Sequence, residues 1–152
     1  MRILLFSLIF GSLLIMSCGN EDAGPSNEEL LQQFFTENNI NPERTSTGLY
    51  YVIDVPGDSI MPTSTSTVVI DYHGYFLDGR VFDSSVDRGM PLEISLNNVI
   101  SGWRQGVPLF GQGGSGSLYI PSGLAYGTQG TSNGSIPPNT PIAFDIQLIE
   151  VK

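Results

Sequence analysis

From Leu49 onward the apolar residues fall at every second position, and that rhythm breaks at one place only, Val99–Val107. A period of two is the signature of a strand with one buried and one wet face. Tyr50 to Val55 reads as such a strand. Thr67 to Phe76 alternates well, with Val68, Ile70, Tyr72 and Phe76 on one face and Asp71 and His73 on the other. Leu92, Ile94 and Leu96 repeat the pattern, and Ser117–Ile120 and Ile142–Val151 follow, the last placing Ile142, Phe144, Ile146 and Leu148 together. Asp78-Gly79 marks a hairpin turn. Strands with a wet face pair antiparallel. The economical architecture is α+β: a curled antiparallel sheet of about five strands wrapped around the single short helix, Val99–Val107.

Residues 18–47 precede this domain, which is assigned to 48–152. Gly19 to Asn27 is polar and acidic and contains Gly24 and Pro25, the composition of a tether. Ser26-x-x-Glu29 is a capping box, and Leu30, Leu31, Phe34 and Phe35 follow on one face of a helix of about a dozen residues. Asn38 and Asn39 end it, and Pro42 reinforces the break. A helix this short is marginal alone, so it must pack on the domain or on a second copy. Residues 56–66 are Pro, Gly, Ser and Thr with little else, hence a loop.

Residues 1–17 do not read as part of the folded protein. Ile3 to Met16 is an apolar run of 14 residues behind Arg2, the length of a signal-peptide core and too short to span a bilayer as a helix. The one cysteine, Cys18, follows at once in Leu14-Ile15-Met16-Ser17-Cys18. This resembles a bacterial lipoprotein cleavage box, in which the cysteine becomes the acylated N-terminus. The alternative is an ordinary secretory signal beside a chance cysteine. One cysteine permits no internal disulfide. Loss of residues 1–17 leaves five basic against 15 acidic side chains. So acidic a surface is a poor partner for nucleic acid.

Four phrases carry the chemistry: Val81-Phe82-Asp83-Ser84-Ser85, Val99-Ile100-Ser101-Gly102-Trp103, Leu124-Ala125-Tyr126-Gly127 and Ile136-Pro137-Pro138. With Tyr72 and Phe144 they offer the walls of one apolar pocket. Any one aromatic at strand spacing is more often core than pocket, and only the ordered set points the other way. Asp83 before two serines also suits a turn cap. His73, the one histidine, has no partners for a metal site. Gly111–Gly116 lacks the Lys and helix start of a phosphate loop. With no evident acid, base or nucleophile, the set suits a reaction that needs a dry, shaped site and no proton transfer, such as rotation about an X-Pro amide.

These phrases, in this order and spacing, resemble the FKBP-type peptidyl-prolyl isomerases, the immunophilins that bind rapamycin-class macrolides. The likeness covers roughly residues 48–152. The leading segment, with its lipobox, amphipathic helix and Thr47-Gly48-Leu49-Tyr50-Tyr51, is similar to membrane-anchored members of Bacteroidetes-type bacteria. The resemblance implies catalytic roles for Tyr72, Asp83 and Tyr126. It implies a substrate-binding surface of Phe82, Leu92, Val99, Ile100, Trp103, Ile136 and Phe144. In it the Ile100 backbone N–H receives a ligand carbonyl, Trp103 is the floor, and the Tyr126 hydroxyl meets the substrate amide. Leu92 stands where many members carry an aromatic, the segment Leu96–Val99 is shorter than usual, and the loop Thr128–Ile136 is longer. All three departures fall at the pocket rim and bear on macrolide affinity and substrate preference.

Two functions follow as expectations. One is a folding catalyst that turns X-Pro bonds of exported proteins, held in the cell envelope by a lipid on Cys18. The other is a module that holds proline-containing segments with little or no catalysis. Neither calls for a metal or cofactor, because amide rotation makes no bond. Expected partners are proline-containing polypeptides, rapamycin-class macrolides and, through the anchor, a membrane.

Overall fold

The computed structural model describes residues 24–152. The signal-peptide and Cys18 assignments lie outside the described residues. The chain runs α1 (Asn27–Asn38), β1 (Glu43–Arg44), β2 (Tyr50–Val55), β3 (Thr67–Phe76), β4 (Val81–Ser84), α2 (Ser85–Arg88), β5 (Leu92–Ser95), α3 (Ser101–Gly106), β6 (Ser115–Ile120) and β7 (Ile142–Val151). All the strands join one antiparallel sheet in the order β1-β2-β6-β7-β3-β4. The long strand β3 pairs with β7 on one side. On its other side it takes β5 along its first half and β4 along its second.

The sheet has seven strands, not about five. Glu43–Arg44 is only two exposed residues, and Val81–Ser84 is four with one buried, so neither can show a period. The helix expected over Val99–Val107 begins two residues later, at Ser101. Ile100 is its N-cap, and a 3₁₀ turn, Val107–Leu109, follows around Pro108. A further single helical turn, α2, was not anticipated. Ser84, rather than Asp83, caps it by accepting from the Asp87 N–H at 3.0 Å.

Burial along β3 alternates at every residue, with Val68, Ile70, Tyr72, Gly74 and Phe76 inward. From β6 and β7 come Leu118, Ile120, Ile142, Phe144, Ile146 and Leu148, and the sheet curls over Trp103, Val107 and Phe110. Removing such side chains from water is the main favourable term. Helix α1 lies on the opposite face. Its capping box is complete, with the Ser26 N–H on Glu29 Oε2 at 2.8 Å and the Glu29 N–H on Ser26 Oγ at 3.3 Å. Leu31 and Phe35 are buried against Tyr50, Tyr119 and Ala143. The Phe35 ring stands 5.0 Å from both tyrosine rings. The partner that this marginal helix requires is therefore its own sheet.

Candidate active site

Between the concave face of the sheet, α3 and the 121–141 loop lies a cavity of about 490 Å³. It is lined by Tyr72, Phe82, Asp83, Leu92, Val99, Ile100, Trp103, Tyr126, Ile136 and Phe144, so the structure brings together all ten pocket residues singled out in the sequence. It adds Ile94, Asn98, Thr131, Asn133 and Ser135 to the lining. The first two sit beside residues already chosen. The other three belong to the longer loop, where only a tertiary fold can say which side chains turn inward.

The aromatic walls are fixed by one another. Trp103 stands 5.2 Å from both Tyr72 and Phe144, edge to face, and Phe82 meets Phe144 at 5.5 Å and 87°. These are preferred geometries for rings with a negative face and a positive edge. Gly102 and Gly106 let α3 lie close to the sheet, since a Cβ at either would stand 2.5 Å and 2.7 Å from Ile120 and Leu118. The Trp103 Nε1 is buried with no acceptor among the described residues. The Ile100 N–H, just ahead of α3, donates to no protein oxygen among the described residues, while the Ile100 C=O accepts from Trp103 and Arg104.

The polar side of the site is a small network. The Tyr72 hydroxyl donates to Asp83 Oδ2 at 2.5 Å and accepts from Arg88 Nη2 at 2.9 Å. Arg88 Nη1 also donates to Asp83 Oδ1. Arg88 was missed in the sequence, where its one signal is a basic residue five positions after Asp83. Burial pushes the Asp83 carboxyl up, but the Tyr72 hydroxyl and the Arg88 guanidinium outweigh it and hold it below the usual range. Burial first, then the Asp83 hydrogen bond, raises Tyr72 above the ordinary phenol. Burial, then the Asp83 charge, raises Tyr126 too. Each shift moves its group away from neutral pH. Such a site is poorly placed to exchange protons near pH 7. Among the described residues, no three His, Cys, Asp or Glu side chains gather as a metal site.

Gly74 was also missed. It lies inward on β3, opposite Phe144 on β7 and Asp83 on β4. A Cβ there would stand 2.8 Å from both the Phe82 and Phe144 rings.

A sequence profile of the family described as FKBP-type peptidyl-prolyl cis-trans isomerase matches residues 58–149. A relative from Neisseria meningitidis serogroup B, the probable FKBP-type peptidyl-prolyl cis-trans isomerase FkpA, is 39% identical over 128 residues. The alignment covers 83% of this chain and 47% of that protein. The crystal structure of FkpA from Escherichia coli superposes with a TM-score of 0.75 at 39% identity, over 83% of this chain and 57% of that one. A peptidyl-prolyl cis-trans isomerase from Pseudomonas syringae pv. tomato gives 0.70 at 30% identity, over 86% of this chain and 98% of that one. The chain belongs to the FKBP-type peptidyl-prolyl cis-trans isomerase family. It spans about half the length of the curated FkpA relatives it matches.

Proposed function

We propose that this protein catalyses cis–trans isomerisation of X-Pro peptide bonds. The supporting observation is the cavity itself: a cup walled by aromatic side chains whose titratable groups are all displaced from neutrality. The barrier to rotation, about 18–20 kcal/mol, comes from amide resonance. The twisted transition state carries less charge separation than the planar amide. A dry apolar cavity therefore favours the twisted form relative to water, and each 1.36 kcal/mol so gained is about tenfold in rate. Trp103, Phe82 and Phe144 take the proline ring by shape and dispersion. The Ile100 N–H and the Tyr126 hydroxyl are donors for the carbonyls on either side. Tyr72 and Arg88 hold Asp83 as a fixed negative wall.

A protease-free assay on a proline tetrapeptide tests this directly. Acceleration that falls in Phe82→Ala and Phe144→Ala is the expected result. Binding without acceleration would leave a proline-segment binding module instead. The cavity volume lies within the range of small-molecule sites, roughly 300–1,000 Å³, and rapamycin-class macrolides are the second ligand class we assign to it.

For cellular context the support is the sequence of residues 1–18. On that basis we place the protein in the cell envelope as a lipid-anchored catalyst acting on exported polypeptides, and we read its leading segment as that of a lipoprotein member of the family, of the kind found in Bacteroidetes-type bacteria. One acyl chain anchors only marginally and stable attachment takes more, which a multiply acylated Cys18 supplies. Cys18→Ser should release the protein to the soluble fraction or leave it unprocessed. A mutant that is processed and still sediments with membranes excludes the anchor.

A further inference from the structure

The loop that brings Tyr126 and Ile136 to the cavity is held at its root by a residue of α1. Asn27 Oδ1 accepts from the Ser122 N–H at 2.6 Å, and Asn27 Nδ2 donates to the Asn139 C=O at 2.9 Å. Inside the loop, the Ser122 C=O accepts from the Ala125 N–H at 2.9 Å and the Gly127 N–H at 2.8 Å. The Gly127 C=O in turn accepts from the Asn139 N–H at 2.8 Å. The bonds close a ring, Asn27 to Ser122 to Gly127 to Asn139 and back to Asn27. Tyr126 lies between the two amides that Ser122 holds.

The helix does not account for this residue. Ser26 performs the capping, so the Asn27 side chain is not needed for it. At the first helical position Ala has the better propensity and an acidic residue suits the positive end of the helix. The loop does account for it. An acceptor and a donor on one short planar group are what Ser122 and Asn139 require, and a primary amide provides both. Asn139 is at φ +54°, the left-handed region in which asparagine is among the better tolerated residues. The clamp is anchored firmly, because Leu31 and Phe35 dock α1 on the sheet. The Tyr126 hydroxyl has no protein partner among the described residues, so its position depends on the backbone that the ring secures.

We propose that Asn27 is a positioning residue for the prolyl site, fixing the root of the 121–141 loop so that Tyr126 and Ile136 face the cavity. This rests on the isomerase reading above. It makes α1, which precedes the family-matched segment, a working part of the site.

The test compares the full chain with Asn27→Ala and Asn27→Asp by peptide isomerisation kinetics, melting temperature and amide exchange. Asn27→Ala should keep the fold and exchange its Ser122 amide at least about tenfold faster, with β3 and β7 unchanged. Its kcat/KM should fall about three- to tenfold, mostly through KM. Asn27→Asp keeps the acceptor for Ser122 but not the donor to Asn139, and should fall between. In a Tyr126→Ala background, Asn27→Ala should cost less than about a further twofold, since coupled residues are not additive. Unchanged kcat/KM in Asn27→Ala, or an equal loss in the Tyr126→Ala background, overturns the proposal. If the wild type does not accelerate isomerisation, the isomerase reading fails by itself. The clamp is then judged by binding of the same tetrapeptide, read by the fluorescence of Trp103, the one tryptophan. Weaker binding in Asn27→Ala supports it, and equal binding, or none by the wild type, overturns it.

Discussion

Gly74→Ala is the sharpest probe of the pocket walls, because it adds one methyl at a position where backbone conformation raises no objection. Gly74 lies within β3, at the register shift of the β3–β4 pairing between Gly74 and Tyr75, and is not among the positive-φ residues. The destabilising effect is therefore contact, set against about 0.4–1 kcal/mol gained because the unfolded chain is less free with Ala than with Gly. The new Cβ would sit 2.8 Å from Phe144 Cε1 and from Phe82 Cε2, where ordinary van der Waals contact begins at 3.4 Å. Each ring would have to withdraw by roughly 0.6 Å to restore normal packing. Phe144 cannot do so easily. It is 5% exposed and hemmed by Trp103, Tyr72 and Phe82. Phe82 is only half-buried, touching Phe76 at 5.2 Å on its other side, so it should swing outward. Overpacking of this kind costs about 1–3 kcal/mol, or a melting temperature lower by about 4–12 °C for a domain of this size. A 1 Å misplacement can cost about a hundredfold in rate, so roughly half that displacement of one wall predicts about a tenfold fall in kcat/KM. Phe82→Leu, which returns volume at the same spot, should recover part of the lost stability in the double mutant. Melting and peptide isomerisation assays read both effects. A Gly74→Ala protein that melts and turns over like the wild type would refute the close wall packing described here.

Tyr126→Phe should fold normally and lose tenfold or less in kcat/KM, because one hydrogen bond is worth about 0.5–1.5 kcal/mol net. The pH profile of kcat/KM should be flat between about pH 6 and 9, since Asp83 is held below its usual range and Tyr72 and Tyr126 above theirs; a bell-shaped profile would exclude this mechanism. Arg88→Met should cost no more than about 1 kcal/mol at pH 7, because both partners of the pair are 46% exposed. A depressed carboxyl contributes stability above its unfolded value of about 3.9 and loses it as pH falls through the folded value, so denaturation curves of Arg88→Met should show a weaker acid dependence below about pH 4. A truncation starting near Arg44 should still fold over 48–152, at lower stability because Tyr50 and Tyr119 lose their cover; failure to fold, seen by circular dichroism, would count against that boundary.

What the sequence made legible was whatever is written in local period or in a fixed short pattern. The strict alternation of β3 predicted which face of that strand is buried, residue by residue. The Ser26/Glu29 capping box located the start of α1, and the two asparagines its end, where Asn39 adopts the left-handed conformation. The pocket residues were legible as an ordered family pattern, not from any physical property of one side chain. The rest depends on distance along the chain. Asn27 bonds to residues 95 and 112 positions away, and no local rule marks an asparagine at a helix start as a clamp. Gly74 was silent because its meaning is the absence of a Cβ between two rings from other strands. β1 and α2, at two and four residues, are shorter than any period that would announce them.

The sheet explains how a helix on its back can matter to a site on its front. Along β6, Leu118 and Ile120 point into the cavity-side core while Tyr119, between them, packs under Phe34 and Phe35 of α1. Along β7, Ala143 faces α1 and its neighbour Phe144 forms a pocket wall. Successive side chains on a strand take opposite faces, so the two clusters are one residue apart on shared backbone. Immediately after Ile120 the chain enters the loop whose root Asn27 holds, and that loop returns through Pro141 to start β7. The docked helix therefore touches the site support twice, through the two strands and through the loop that joins them. Phe35→Ala makes these routes separable from Asn27→Ala. The first should lower stability broadly, by about 3–5 kcal/mol if α1 stays coupled to global unfolding. The second should leave melting nearly unchanged and act on the loop.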